Sequence, residues 1–142
     1  MPTTITKKQI RKPQKQQRPG SEQKMQPKPV FDYPQQKGSN KLLNKIALIT
    51  GGDSGIGKAV AILFAKEGAD IAISYLSEKK DADETKKIIE QQYHKQCLLI
   101  AGDIAKEKHC KELIKKTVAA FGRIDILINN AGLHFGNKKK KK

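Results

Sequence analysis

The chain has 142 residues and a formal charge of +15, with 29 lysines and arginines against 14 acidic residues. This length accommodates one domain, and no apolar stretch approaches the roughly 18 residues that a membrane span needs. The flanks carry most of the charge: residues 1–40 hold +7 and residues 138–142 are five lysines, so residues 41–137 hold only +3. Nucleic-acid readers place basic groups on a folded face, so these flanks predict only non-specific, salt-sensitive adhesion to nucleic acid.

Residues 1–40 differ in composition from the rest of the chain. They contain all six prolines and eight glutamines. Proline interrupts helices and such polar segments bury little apolar surface, so we predict a basic arm that is extended or disordered. Phe31 and Tyr33 are the aromatic residues with which the end of the arm could dock on a folded surface. An unanchored tail is the alternative.

Residues 41–136 alternate apolar and amphipathic runs, which is typical of an α/β domain. The predicted strands are Ile46–Thr50, Asp70–Tyr75, Cys97–Ala101 and Ile124–Asn129. The predicted helices are Gly55–Glu67, Asp81 to about Tyr93, and Lys106–Phe121. Right-handed crossovers between parallel strands then predict a Rossmann-like doubly wound sheet in the order 3-2-1-4, incomplete at four strands.

Apolar residues at helical spacing indicate which helix faces lie on the sheet. On the first helix this face is expected to consist of Val60, Leu63 and Phe64. On the third helix it is expected to consist of Cys110, Leu113, Ile114, Val118 and Phe121.

The segment Thr50-Gly51-Gly52-Asp53-Ser54-Gly55-Ile56-Gly57 joins the first strand to the first helix. Glycines at such a junction form a cradle for a pyrophosphate, because the free N–H groups of the first helical turn face the anion. Gly51 permits the turn, Gly55 admits the phosphate oxygens, and Gly57 lets the helix lie close to the sheet. The Asp53-Ser54 pair can cap the helix, and the serine hydroxyl can also contact the pyrophosphate or a ribose.

Two motifs carry a family resemblance. The glycine loop has the spacing Gly-x-x-x-Gly-x-Gly behind Thr50, and Asn129-Asn130-Ala131-Gly132 follows about eighty residues later. In this order they resemble the N-terminal signatures of the short-chain dehydrogenase/reductases. The polar arm is similar to that of the bacterial stress-induced branch of this family, where the arm reaches over the subunit or a neighbour. The resemblance covers about residues 41–136.

The resemblance implies an NAD(P)-dependent oxidoreductase that moves a hydride between the cofactor and a carbonyl or alcohol, with full-length relatives forming homo-oligomers. It implies that Thr50 pins the turn through its hydroxyl, and that Asn129 has a structural role in tying the fourth strand to the pocket loops. Asp103 would accept a hydrogen bond from the adenine amino group, with capping of the third helix as the alternative. The predicted cofactor-binding residues are Thr50, Gly51, Asp53, Ser54, Gly55, Ile56, Gly57, Tyr75, Asp103, Ile104, Asn130, Ala131 and Gly132.

The end of the second strand bears on the choice between NAD and NADP. An acid there would hold the ribose 2′-hydroxyl of NAD and repel the 2′-phosphate of NADP. Tyr75-Leu76-Ser77 occupies this place, and Glu78 follows too late. Ser77 with Lys79-Lys80 could accept a phosphate. NADP is therefore favoured over NAD.

The Ser and the Tyr-x-x-x-Lys set with which the family performs catalysis lie well beyond Asn-Asn-Ala-Gly, and no serine or tyrosine follows that motif in the 142 residues. Tyr93 is followed four residues later by Cys97, where the motif has lysine. We therefore expect the cofactor-binding half of such an enzyme, without turnover. A non-catalytic nucleotide-binding or interaction fragment is the alternative. The lysines at 138–142 suggest an adenine tract that shifted the reading frame, or else a designed end.

The remaining polar residues give no further site. His94, His109 and His134 lack metal-ligand spacing, so we expect no metal. We place His94 and His109 on helix surfaces and His134 near the cofactor cleft. Cys97 and Cys110 fit as small buried hydrophobes, and no apolar signal segment follows the N-terminus, so a soluble protein of the reducing cytoplasm is expected.

Overall fold

The computed structural model describes residues 14–17 and 22–132. Its strands and helices in chain order are β1 (Ile46–Thr50), α1 (Gly55–Lys66), β2 (Asp70–Tyr75), α2 (Lys79–Tyr93), β3 (Cys97–Ala101), α3 (Glu107–Phe121) and β4 (Ile126–Ile128). A short 3₁₀ helix, Glu22–Lys24, precedes them in the arm. Within these described ranges, no helix is both long enough and apolar enough to cross a bilayer.

The four strands form one parallel sheet in the order β3-β2-β1-β4, which confirms the predicted topology. β1 pairs with β2 from Ile46 opposite Asp70 to Thr50 opposite Ser74, and with β4 on its other side. All five residues of β1 are buried, as expected for a central strand that is covered on both faces. The carboxyl ends of the strands meet at one edge, where the site residues of the loops converge.

Alternation along the strands divides the core between the two faces of the sheet. Ala47 and Ile49 of β1 belong to a cluster completed by α1 and α2. Leu48, between them, points to the opposite face and packs with Leu113 of α3. Helices therefore cover both faces, which confirms the doubly wound, Rossmann-like class.

The buried faces of two helices differ in part from those predicted. On α1, Ala61 and Ala65 are buried, whereas Leu63 is 53% exposed. Small alanines let the helix axis lie close to the sheet, so the larger side chains are displaced to the flanks of the contact. On α3, Leu113 is buried as expected, but Ile114 and Val118 stay 44% and 41% exposed because α3 contacts the sheet over a narrow strip.

The fourth strand begins at Ile126, two residues later than predicted. The reason is the side chain of Asp125, whose Oδ2 accepts the Ile46 N–H at 2.8 Å and so replaces a backbone acceptor at this position. Arg123 Nε holds the same oxygen at 2.9 Å. α2 begins two residues earlier than predicted, with the Ala82 N–H donating to the Glu78 carbonyl at 3.1 Å.

The end of the arm docks on α1 and α2. The Asp32 carboxylate accepts a hydrogen bond from Lys66 Nζ at 2.9 Å, and the Tyr33 carbonyl accepts one from the same amine at 2.7 Å. The Phe31 ring centroid lies 4.5 Å from Lys58 Nζ. Of the two aromatic residues expected to anchor the arm, Phe31 therefore contacts the domain, whereas Tyr33 is 61% exposed and bonds to Lys66 through its carbonyl.

Candidate functional site

A cleft of about 650 Å³ opens at the carboxyl edge of the sheet. Its walls are the glycine loop after β1, the end of β2, the turn after β3 and the residues after β4. The chain places this cleft where the strand order reverses, with β2 on one side of β1 and β4 on the other. Ligands of open α/β sheets bind at this type of position.

Most of the predicted cofactor-binding residues line the cleft. They are Gly51, Asp53, Ser54, Gly55, Ile56, Tyr75, Asp103, Ile104, Asn130, Ala131 and Gly132. Thr50 and Gly57 lie behind this lining and shape the loop. Ser74, Gly102 and Ala105 also line the cleft and were not predicted. Their position along the chain could have indicated them, because each lies at the carboxyl end of β2 or in the turn after β3.

The glycine loop presents an open first turn of α1. Ser54 is the N-cap, with extended backbone (φ −147°, ψ 171°), and its carbonyl accepts the Lys58 N–H at 3.1 Å. Its hydroxyl makes no capping bond, so it remains available to a ligand. Gly55 has φ +55°, and a Cβ there would meet only the Glu22 carboxylate within 4 Å among the described residues. The loop thus leaves a hollow in front of helical N–H groups, which is the geometry that anions occupy.

Gly57 sets how closely the helix and its loop pack. A Cβ at this position would lie 2.0 Å from the Gly51 carbonyl oxygen and 2.6 Å from Asn130 Nδ2. Since both distances are far below van der Waals contact, the loop closes on itself only with glycine here.

A node of hydrogen bonds joins the glycine loop to the chain after β4. Thr50 Oγ1 accepts the N–H groups of Asn130 and Ala131, each at 3.1 Å. Asn130 Nδ2 donates to the carbonyls of Thr50 at 3.2 Å and Gly51 at 3.1 Å. The resemblance assigned this tie to Asn129, but that residue is exposed and its side chain has no hydrogen bond within residues 14–17 and 22–132. The chain turns directly after β4, so only the second asparagine faces the loop.

Asp53 lies on the wall of the cleft and is 8% exposed. Burial raises the pKa of its carboxyl above the ordinary value, the charges of Asp81 and Glu78 act in the same direction, and a hydrogen bond from its own backbone opposes them in part. Its carbonyl is fixed by the Thr85 hydroxyl at 3.2 Å.

Asp103 shapes the turn between β3 and α3. Its Oδ1 accepts the Ala105 N–H at 2.9 Å and its carbonyl accepts the Lys106 N–H at 3.1 Å, whereas the N-cap position belongs to Lys106. Oδ2 has no hydrogen bond in the part of the chain that the structure describes. One carboxylate oxygen therefore orders the turn, and the other is free to accept a hydrogen bond from a ligand in the cleft.

The end of β2 differs from the prediction in two respects. Glu78 lines the cleft, and its Oε1 accepts the Ser77 hydroxyl at 3.3 Å, so this acid is close to the site. Lys79 and Lys80 instead line a separate groove on α2. The reason is that α2 begins at Lys79, so the helix turns both lysines away from the mouth of the cleft.

His109 is only partly exposed, which differs in part from the predicted position on the helix surface. Its ring packs under Gly102, where a Cβ would lie 2.1 Å from the imidazole, and its Nε2 is buried without a partner among the described residues. His94 is exposed at the end of α2, and His134 lies outside the described residues. Those residues contain no group of three side chains able to hold a metal. Cys97 is buried, and burial raises the pKa of its thiol to about 12.

Sequence comparison places these features in a family. The model of the family described as short chain dehydrogenase matches residues 45–142. General stress protein 39 of Bacillus subtilis is 59% identical over 114 residues, which are 80% of this chain and 40% of that protein. The chain thus spans about two fifths of the length of the curated relatives that it matches.

Solved structures agree with the sequence comparison. A short chain dehydrogenase from Burkholderia cenocepacia, in complex with NADP, has a TM-score of 0.66 and 35% identity, covering 72% of this chain and 42% of that one. L-Sorbose reductase from Gluconobacter frateurii, complexed with NADPH and L-sorbose, has a TM-score of 0.64 and 33% identity, covering 69% and 37%. With its glycine loop, sheet order and family match all in agreement, the chain belongs to the short-chain dehydrogenase/reductase family.

Proposed function

We propose that the cleft binds a nicotinamide dinucleotide, with the diphosphate at the first turn of α1. The observation that carries this proposal is the hollow at Gly55, where helical N–H groups open into the cleft at the carboxyl edge of the sheet. Asp103 Oδ2 is free to accept the adenine amino group, and the Ser54 hydroxyl is free for the diphosphate or a ribose. The residues present therefore fit the cofactor, which supplies the hydride when it is bound.

The activity that we propose for the whole protein is hydride transfer between this cofactor and a carbonyl or alcohol. The contribution of the described residues is to bind and orient the dinucleotide. Because no Ser and no Tyr-x-x-x-Lys set follow the Asn-Asn-Ala-Gly motif in the 142 residues, we propose that this chain binds the cofactor without turning it over. A missing general acid alone lowers the rate by about 10²–10⁴-fold.

Calorimetric titration of the full chain with NADPH and NADH tests the binding. We expect one saturable site and, with a panel of aldehydes and ketones, no loss of nicotinamide absorbance. Gly55→Trp is the matched control, since its indole would fill the hollow, and we expect its affinity to fall by about tenfold or more, a loss of about 1.4 kcal/mol or more. Equal affinity of the wild type and Gly55→Trp would contradict the proposed place of the diphosphate.

We propose NADP as the preferred cofactor. The last residue of β2 is Tyr75 rather than an acid, and the two similar structures above contain NADP and NADPH. Glu78 opposes this preference, because its carboxylate lines the cleft beside Ser77 and would repel a 2′-phosphate.

The variant Glu78→Gln separates these two influences. It removes the charge but keeps a partner for the Ser77 hydroxyl, so we expect the affinity for NADPH to rise by about two- to fivefold while that for NADH changes little. The measurement is the ratio of the two dissociation constants in the wild type and the variant. Tighter binding of NADH than of NADPH by the wild type would contradict the proposed preference for NADP. An equal ratio of dissociation constants in the wild type and Glu78→Gln would show that Glu78 does not influence this preference.

A further inference from the structure

The arm places an acidic side chain in the mouth of the glycine loop. The Glu22 carboxylate accepts a hydrogen bond from the Gly55 N–H, the first helical donor of α1. We propose that the Glu22 carboxylate competes with the cofactor diphosphate for the first turn of α1. Glu22 must leave this position before a dinucleotide can bind there. This inference rests on the proposed function, because it concerns the same site.

The hydrogen bond between Glu22 and Gly55 is at the N-terminus of α1, a position that favours an anion. The N-terminus of a helix carries a partial positive charge, and its first N–H groups have no partner within the helix. The Glu22 oxygen lies 3.9 Å from the place of a Cβ at Gly55, and no other described atom lies within 4 Å of that place apart from those of the glycine, its two chain neighbours and the backbone of its own helix. A carboxylate and a diphosphate carry like charges and would share the same donor, so occupation by one disfavours the other.

The arm presents Glu22 from a segment that is itself held in place. The 3₁₀ turn that begins at Glu22 is closed by the Met25 N–H, which donates to the Glu22 carbonyl at 3.0 Å. The Gln26 N–H donates to Gln14 Oε1 at 3.0 Å, so two stretches of the arm are joined there. Further along, Asp32 is bound to Lys66. This tether keeps the carboxylate near the loop at a high effective concentration.

The anchor and the competitor are separate contacts. Phe31 and Asp32 dock on the side chains of Lys58 and Lys66, which project from α1 away from the cleft, since neither lysine lines it. Cofactor binding therefore needs only residues 22–30 to move, while the docked end of the arm, from Phe31 onward, stays on the domain. The arm would then act as a strap that opens and closes over the loop.

The test compares Glu22→Gln with Glu112→Gln in the full chain. Glu112 is an exposed residue of α3 outside the cleft, so its variant makes the same charge change without touching the loop. In calorimetric titrations with NADPH we expect Glu22→Gln to bind about two- to fivefold more tightly than the wild type, the factor for one charge contact at a helix N-terminus, and Glu112→Gln to bind like the wild type.

Limited digestion with trypsin gives an independent readout at Lys24, which is exposed in the arm and is followed by Met25. We expect faster initial cleavage there in Glu22→Gln without any ligand, and faster cleavage of the wild type after NADPH or inorganic pyrophosphate is added. Binding that Glu22→Gln leaves unchanged or weakens would overturn the competitor role alone. Absence of dinucleotide binding by both proteins would overturn the proposed function and the competitor role together, whatever the digestion shows.

Discussion

Replacing Gly57 with alanine is expected to abolish dinucleotide binding and to lower the free energy of unfolding by about 1–3 kcal/mol or more. The added methyl group would lie 2.0 Å from the Gly51 carbonyl oxygen and 2.6 Å from Asn130 Nδ2. Neither atom can retreat, because the Gly51 N–H is bound to the Ser74 carbonyl at 2.7 Å and Asn130 is bound to Thr50 through its backbone and its side chain. Urea unfolding and calorimetric titration with NADPH measure the two effects.

Gly55→Ala is the matched control for this variant. A Cβ at Gly55 has space, so the cost there is limited to the left-handed backbone at φ +55°, about 1–2 kcal/mol. We therefore expect Gly57→Ala to lose its binding, whereas Gly55→Ala keeps the geometry of the loop and a measurable part of its affinity. Native stability and native affinity in Gly57→Ala would show that the loop does not close on this glycine.

The variant Asp32→Ala is expected to release the arm and to lower the free energy of unfolding at neutral pH by about 3 kcal/mol. Asp32 and Lys66 form an ion pair at 2.9 Å whose side chains are only 14% and 8% exposed. The same carboxylate accepts hydrogen bonds from the Tyr93 hydroxyl and, at 3.0 Å, from Gln92 Nε2. Alanine would leave a buried ammonium group with the Tyr33 carbonyl as its remaining described acceptor, and urea unfolding measures the loss.

The pH dependence of this effect follows from the pKa of Asp32. Burial acts to raise that pKa, but hydrogen bonds from Tyr93 and Lys66 and the lysine charge outweigh it and hold the pKa below its ordinary value of 3.8. A lowered folded-state pKa stabilises the protein above the unfolded value and loses this contribution as the pH falls through the folded value. The difference in unfolding free energy between wild type and Asp32→Ala should therefore be constant from about pH 7 to 5 and shrink below about pH 4.

Two comparisons complete this test. Asp32→Asn keeps the shape of the side chain and one acceptor oxygen, so we expect its free energy of unfolding to lie between those of the wild type and Asp32→Ala. Release of the arm in Asp32→Ala should also make trypsin cleave faster at Lys37, which is exposed and lies close to the docked end. An Asp32→Ala protein as stable as the wild type at neutral pH would mean that the arm does not dock through this ion pair.

Local patterns were sufficient to predict the architecture. The periodicity of the apolar runs predicted every described strand and helix of the domain to within two residues at each end, and the crossover rule then predicted the order 3-2-1-4. The place of the cleft followed from the same topology, because the carboxyl ends of parallel strands share one edge. These features depend on residues that are close in sequence or on general rules of handedness.

The features that the sequence did not reveal depend on the direction of single side chains. Asn130 rather than Asn129 joins the loops because of how the chain turns after β4, and a repeat of two asparagines carries no sign of it. Glu78 faces the cleft whereas Lys79 does not, because α2 begins between them. The ring of His109 lies under Gly102 as a result of how α3 packs. None of these directions is encoded in a local pattern.

The contacts of the acidic residues in the arm were missed for a second reason. Asp32 reaches Lys66 and Tyr93 across 34 and 61 residues of sequence, and Glu22 reaches Gly55 across 33. Single acids in a segment rich in proline and glutamine have no periodicity that would indicate a partner. The aromatic residues Phe31 and Tyr33 indicated docking as one of two alternatives, but nothing in the composition indicated that acidic side chains would make the contacts.

The central claim is that the first turn of α1 holds the diphosphate of a nicotinamide dinucleotide. The most direct measurement is an amide NMR titration of the full, isotope-labelled chain with NADPH, with the signals assigned to residues. The account predicts saturable shifts at the Gly55, Ile56 and Ala131 amides, with a smaller effect at Asp103. Shifts confined to the basic residues 1–40 and 138–142, or shifts that vanish when salt is added, would contradict it.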